Sequence, residues 1–166
     1  YAELHCRTNF SFQVGASHAE ELVARAHALG YTALAITDEC SVAGLVRAHA
    51  EAKKLGLKLL AGSEFVLDGG DGRFRLIALA HNLKGWGALC TFITAGRRAA
   101  PKGEYRLGWQ DVTADRLPDC ELILAPDRLS RSAITLEALC DRLMLGRRQF
   151  GSHFWLAAEL LHGLDD

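Results

Sequence analysis

The sequence predicts an α/β fold in which a mostly parallel sheet carries helices packed outside it. Short apolar runs of strand length alternate with longer amphipathic runs of helical period along most of the chain. The first two helical runs open on capping serines and close on glycines, so their ends are marked as well as their faces. At 166 residues the chain can build one domain with a real core, and no linker divides it, so residues 1–166 belong to one unit.

Residues 2–5 read as a short first strand. Ser17-His18-Ala19-Glu20 reads as a capping box, in which a serine oxygen and a glutamate carboxylate satisfy free amides at a helix start. The helix that follows places Leu22, Val23, Ala26 and Leu29 on one face and stops at Gly30. Thr32 to Thr37 is continuously apolar in the manner of a buried parallel strand. Ser41 caps a second helix with Val42, Leu45, Val46, His49 and Ala52 along its inner stripe, closed by Gly56. Leu57 to Leu67 forms a third strand. The glycine-rich run Asp68–Gly72 then allows a hairpin into a fourth strand from Phe74 to Ala80. No G-K-[ST] follows that run, which argues against a phosphate loop.

Asn82 precedes a third helix that carries Trp86, Leu89, Cys90 and Ile93 toward the core. Residues 99–120 hold two of the three prolines and little periodicity, so they are the least regular part. A strand from Glu121 to Ala125, a helix from about Ser132 to Leu145 and a strand from Phe154 to Leu160 complete the pattern. A complete βα barrel needs about 250 residues, so this chain reads as an incomplete ring.

Composition narrows the function classes. A formal net charge of -1 argues against a surface built mainly to hold nucleic acid. Arg97-Arg98 and Arg147-Arg148 read as solvated helix ends at the negative pole of the helix dipole. Cys6, Cys40, Cys90, Cys120 and Cys140 are odd in number, scattered and never spaced C-x-x-C. That excludes a disulfide framework and a zinc knuckle, and it suits a reducing cytoplasm. No apolar run is long enough for a membrane helix. Tyr1-Ala2-Glu3 has neither a signal-peptide layout nor an initiator methionine, so the sequence reads as a piece of something longer.

His5, Asp38, Glu39, Glu64 and His81 fall at the C-terminal ends of the first four predicted strands. Polar residues ending consecutive parallel strands converge on one rim, where such folds do chemistry. Imidazoles and carboxylates gathered there are also what a zinc, manganese or iron site needs to activate water. Taken singly, each has a plainer role: a histidine at a strand end packs, and Asp38 can begin the turn into the second helix. His18, His27, His49, His153 and His162 lie in a cap, on helices or where the pattern weakens. Neither H-E-x-x-H nor G-x-S-x-G occurs, and no Ser/His/Asp arrangement can be picked out, so a helical zinc-protease motif is missing and serine and cysteine catalysis have no support.

The runs E-L-H-C-R-T-N-F-S-F-Q-V-G-A-S-H-A-E-E-L, A-I-T-D-E-C-S-V-A-G, G-S-E-F and L-A-H-N-L-K-G-W-G-A-L-C resemble the PHP (polymerase and histidinol phosphatase) domain. More narrowly, they resemble the domain that opens the bacterial C-family DNA polymerases, the DNA polymerase III alpha subunit family, in its error-prone branch. The resemblance implies a PHP-type distorted (βα)7 barrel, here truncated to about six strands. Domains of that kind hold metal ions on the rim and hydrolyse phosphoesters. By the same resemblance, His5 falls on the first histidine of the family's H-x-H motif and Arg7 on the second. Val14 falls on the motif's aspartate, Glu39 on the histidine of T-D-H, and Glu64 on the family's glutamate. His81 lies where the polymerases often carry lysine or glutamine, and it is not counted as a ligand.

Arg7 changes what such a rim can do. Arginine is cationic at any working pH and offers a metal no lone pair. Beside carboxylates the same guanidinium is favourable, through charge-assisted and bidentate hydrogen bonds. The expectation is a degenerate rim site of His5, Arg7, Asp38, Glu39 and Glu64, with no catalytic residue and no cofactor in this domain. The expected partners are the remaining domains of a polymerase chain, which would hold DNA in place of this domain, away from any membrane. One alternative is a Zn- or Mn-dependent phosphoesterase or 3′–5′ exonuclease using His5, Glu39 and Glu64. Another is a free-standing interaction module descended from such a domain.

Overall fold

A computed structural model describes residues 1–68, 73–126 and 135–158. Its elements are β1 (Ala2–Glu3), α1 (Ala19–Ala28), β2 (Ala33–Ile36), α2 (Leu45–Leu55), β3 (Lys58–Asp68) and β4 (Arg73–Ala80). They continue with α3 (Leu83–Arg98), β5 (Cys120–Pro126), α4 (Leu136–Phe150) and β6 (Phe154–Leu156). The six strands lie side by side in chain order in one sheet, which gives the expected partial α/β barrel.

The sheet is not parallel throughout. β1, β2 and the first part of β3 pair in parallel, whereas β4 runs antiparallel to both β3 and β5. The β3–β4 pairing is the hairpin the sequence allowed, although the Gly69–Gly72 turn itself lies outside the described residues. Because β4 is reversed, its C-terminal end points away from the rim reached by β1, β2 and β3. β5 returns to the original direction and pairs in parallel with β6.

Alternation along the strands sorts the two faces. Leu34, Ile36, Phe65, Leu67, Phe74, Leu76, Leu122 and Leu124 are buried under the helices. Packed against them are Val23 of α1, Ala48 of α2, Leu89 and Phe92 of α3, and Ala138 of α4. On the other face a smaller apolar layer forms from Ala35, Ile77, Leu79 and Ala125. Glu64, Arg75 and Glu121 share the strand parity of that second layer, since Glu64 pairs with Ile77 and Leu79 with Glu121.

Local differences from the sequence reading have simple causes. The α1 cap lies one residue later than Ser17: the Glu21 carboxylate accepts the His18 N–H at 2.9 Å. α2 begins at Leu45, after Ser41 has capped the preceding turn by accepting the Ala43 N–H. With that phase, Leu45, Ala48 and Ala52 are buried, and Val46 and His49 face outward. Gly56 ends α2 at φ 71°, a conformation that favours glycine. Asn82 caps α3 by accepting from Lys84 and Gly85. Thr135 caps α4, and Ser132, where that helix was expected to start, lies outside the described residues.

Candidate functional site

The rim is assembled from three adjacent strand ends. Beyond β1, the backbone stays beside β2 through a hydrogen bond from Thr37 N–H to the Cys6 carbonyl at 2.8 Å. The chain beyond β2 then meets β3, where Cys40 N–H donates to the Glu64 carbonyl at 2.8 Å and Glu64 N–H to the Asp38 carbonyl at 3.1 Å. Cys40 takes a left-handed φ of 44° as the backbone turns away from the sheet. His5, Arg7, Asp38 and Glu39 therefore occupy loops that neighbour Glu64 of β3 at one end of the fold.

Glu64 is the centre of one cluster. Its side chain is 1% exposed and accepts from His5 Nε2 through Oε2 and from Arg7 Nη1 through Oε1 at 3.3 Å. Arg75 of β4 brings a second guanidinium, its Nε 3.9 Å from the same Oε1. A buried carboxylate costs several kcal/mol unless paired, roughly, and here three cationic or potentially cationic side chains surround it.

Asp38 and Glu39 serve other partners. The fully buried Asp38 carboxylate accepts from the Thr8 N–H at 2.8 Å and the Ser11 hydroxyl at 2.8 Å. The Thr8 hydroxyl lies 2.9 and 3.0 Å from its two oxygens. Asp38 thus pins the loop after β1 to the end of β2. Gly44 is needed beside it, because a Cβ there would stand 2.6 Å from Asp38 Oδ2. Glu39 accepts the Tyr105 hydroxyl at 2.8 Å, and Tyr105 also receives the Val66 N–H. Burial pushes the Tyr105 phenol well above its usual range, helped by the neighbouring Glu39 charge, so it remains a neutral donor. Arg97 of α3 reaches the Glu39 and Cys40 carbonyls and covers the Tyr105 ring.

The sequence reading did not pick out Arg75, Tyr105, Thr8 or Ser11. An arginine inside the otherwise apolar run Phe74 to Ala80 was a usable signal, since buried arginines are almost always paired. Tyr105 gave none, for it lies in the aperiodic stretch between α3 and β5. Val14 lies in the loop before α1 and is 53% exposed.

His81 belongs elsewhere, a correction to the single-rim expectation. The reversal of β4 carries it four residues past Ile77, the partner of Glu64, or about 13 Å along the sheet at a rise of ~3.3 Å per residue. There it meets Glu121 at the start of β5 and His153 just before β6. Among the described residues this trio is a group whose potential metal-binding atoms all lie within 4.8 Å of one another, and His5, Glu39 and Glu64 form no such group. The rim thus offers carboxylates already occupied by guanidinium, hydroxyl and amide donors. This donor set does not fit a metal cluster, because a divalent ion at Glu64 would sit against two arginines.

A family profile described as "PHP domain" matches residues 3–142. This chain belongs to the PHP domain family. The PHP domain is 53% identical, over all of its own length, to a protein of Aromatoleum aromaticum named error-prone DNA polymerase, of which it covers 15%. It is 57% identical over 76% of its length to a protein of the same name from Methylococcus capsulatus, covering 12% of that chain. It therefore spans only a small part of the relatives it matches. Among solved structures, it resembles a Bifidobacterium adolescentis protein described as a metal-dependent phosphoesterase. That likeness has a TM-score of 0.68 at 16% identity, covering 87% of this chain and 74% of the other, and it bears on the fold alone. Among the described residues no helix of the PHP domain is long and apolar enough to cross a membrane.

Proposed function

We propose that this PHP domain is a structural part of an error-prone DNA polymerase and has no hydrolase turnover of its own. The supporting observation is the pairing of buried Glu64 with His5, Arg7 and Arg75. Two unit charges about 4 Å apart interact by roughly 4 kcal/mol at an effective dielectric of 20. The guanidinium of Arg7 therefore stabilises Glu64 and opposes a divalent cation in the same place. Arg7 supplies the positive charge that a metal would otherwise bring, and the degenerate site of His5, Arg7, Asp38, Glu39 and Glu64 becomes an internal brace. No cofactor is needed for that role.

In this reading the rest of the polymerase chain holds the DNA and performs nucleotidyl transfer in replication and damage-tolerant repair, in the cytoplasm. The PHP domain offers those parts a rigid neighbour. The likeness to proteins named error-prone DNA polymerase supports the assignment of the parent activity.

The experiment uses the full-length protein that carries this chain. It is assayed with manganese on a generic phosphomonoester and on single-stranded DNA, beside primer extension. Primer extension without hydrolysis of either substrate is expected. Hydrolysis that disappears in His5→Ala, while primer extension persists, would overturn the scaffold reading and favour a metal-dependent phosphoesterase or 3′–5′ exonuclease.

A further inference from the structure

At the end of the sheet away from the rim, three side chains converge from separate parts of the chain. His81 follows β4, Glu121 begins β5, and His153 sits in a 3-10 turn between α4 and β6. His81 Nε2 lies 3.0 Å and His153 Nδ1 2.8 Å from the same oxygen, Glu121 Oε1. The two imidazoles meet edge to face at 5.3 Å. Trp155 Nε1 donates to the other carboxylate oxygen at 2.6 Å, which fixes the carboxylate plane. A cleft of about 210 Å³ opens beside them, lined by both histidines with Asp119, Cys120, Gln149 and Phe150.

From this geometry we propose that His81, Glu121 and His153 bind one divalent ion of the zinc class. Two imidazole nitrogens and one carboxylate oxygen are a common three-ligand set for zinc with an open fourth position. Bonds of ~2.05 Å in a tetrahedral site place neighbouring ligand atoms ~3.3 Å apart. The observed 2.8 and 3.0 Å contacts need to open by only a few tenths of an ångström, roughly. On binding, the ring proton that now points at Glu121 moves to the other nitrogen of each neutral imidazole, or leaves to solvent from a charged one. The freed lone pairs face the ion. Trp155 keeps its hydrogen bond and acts as the outer support that such ligands usually have. The cleft supplies water for the fourth position.

The ion would act as a clip. β6 is only three residues long and pairs with β5 alone among the described strands. Tying His153 to Glu121 and His81 secures β6 and the end of α4 to the sheet. The separation from Glu64 keeps this site independent of the arginine-filled rim, so its success or failure leaves the scaffold reading untouched.

The test is titration of the full-length metal-free protein with Co2+ and then Zn2+, in wild type and in His81→Gln, His153→Gln and His5→Gln. His153 is exposed at 55% of its side chain, so its substitution should not disturb folding. One Co2+ with the intense visible bands of a four-coordinate site is expected, displaced by Zn2+. Either His81→Gln or His153→Gln should weaken it by at least about tenfold, and His5→Gln should leave it intact. No binding, binding unweakened by the His81 and His153 substitutions, or binding lost in His5→Gln would each overturn the proposal.

Discussion

The contact between Arg7 and Glu64 can be measured by a double-mutant cycle with Arg7→Met and Glu64→Gln. At 3.3 Å, and with an effective dielectric of 20, the pair interacts by about 5 kcal/mol before any screening. Arg7 is 25% exposed while Glu64 is 1% exposed, so water screens one partner and not the other. Exposed pairs are worth about 0.2–1 kcal/mol, whereas breaking a buried pair costs about 3–5. A coupling of about 2 kcal/mol, between these limits, is expected. Glu64→Gln should be the costlier single change, because it removes the buried charge that faces both Arg7 and Arg75. Arg7→Met leaves Glu64 with His5 and Arg75. Urea unfolding of this chain would show the effect as a midpoint shift of about 1 M, given an m-value of about 2 kcal/mol/M. A coupling under about 0.5 kcal/mol would mean the two groups meet as loosely as a surface pair. The idea that arginine fills a pocket shaped for a cation would then fail.

Two further outcomes are expected. Burial pushes the Cys6, Cys40 and Cys120 thiols up to about 11, whereas Cys140 is exposed. Iodoacetamide at mildly alkaline pH should therefore label Cys140 first, as peptide mass spectrometry would reveal; early labelling of Cys6 or Cys120 would contradict their burial. For Glu121, burial pushes the carboxyl up, but hydrogen bonds from His153 and Trp155 and the charges of His153 and His81 outweigh it, leaving the carboxyl below its ordinary value. A depressed carboxyl stabilises the fold at pH above the ordinary glutamate range, and that contribution is lost as pH falls through the folded value. In acid titrations of urea midpoints, Glu121→Gln should lower stability near neutral pH and converge with wild type in acid; a constant offset across the range would show that the charge is not responsible.

Much of the fold was legible because periodicity and caps act locally. Asn82, Gly56 and the continuously apolar β2 are readable from a few neighbours each. The direction of β4 was not, because an apolar run has the same period whichever way it pairs, and the hairpin was only one of two options. That one ambiguity moved His81 from the rim to the far end of the sheet. The α1 cap lies one residue later because Glu20 and Glu21 each stand three residues after a possible cap, Ser17 or His18, and sequence cannot rank the two frames. At the candidate site, Arg7, Glu39 and Glu64 were legible through motif positions. Their partner Tyr105 was less so, for it comes from an aperiodic segment, and at the far end of the sheet His153 comes from a turn whose place depends on where α4 ends. Those positions are fixed by tertiary packing, which no short window contains.

The arrangement around Glu64 couples three basic side chains to one buried carboxylate. Arg75 projects from the middle of β4 onto the face that carries Ile77 and Leu79, and it is nearly buried. Removing Glu64 would take one carboxylate from that guanidinium, while removing either arginine would leave the carboxylate less compensated. Each member is therefore held by the others, and single changes are opposed from both sides. Replacing Arg7 with histidine would not by itself recreate a metal site, because Arg75 still stands 3.9 Å from the carboxylate oxygen. The two guanidinium groups thus reach Glu64 from two places at once, Arg7 from the loop after β1 and Arg75 from within β4.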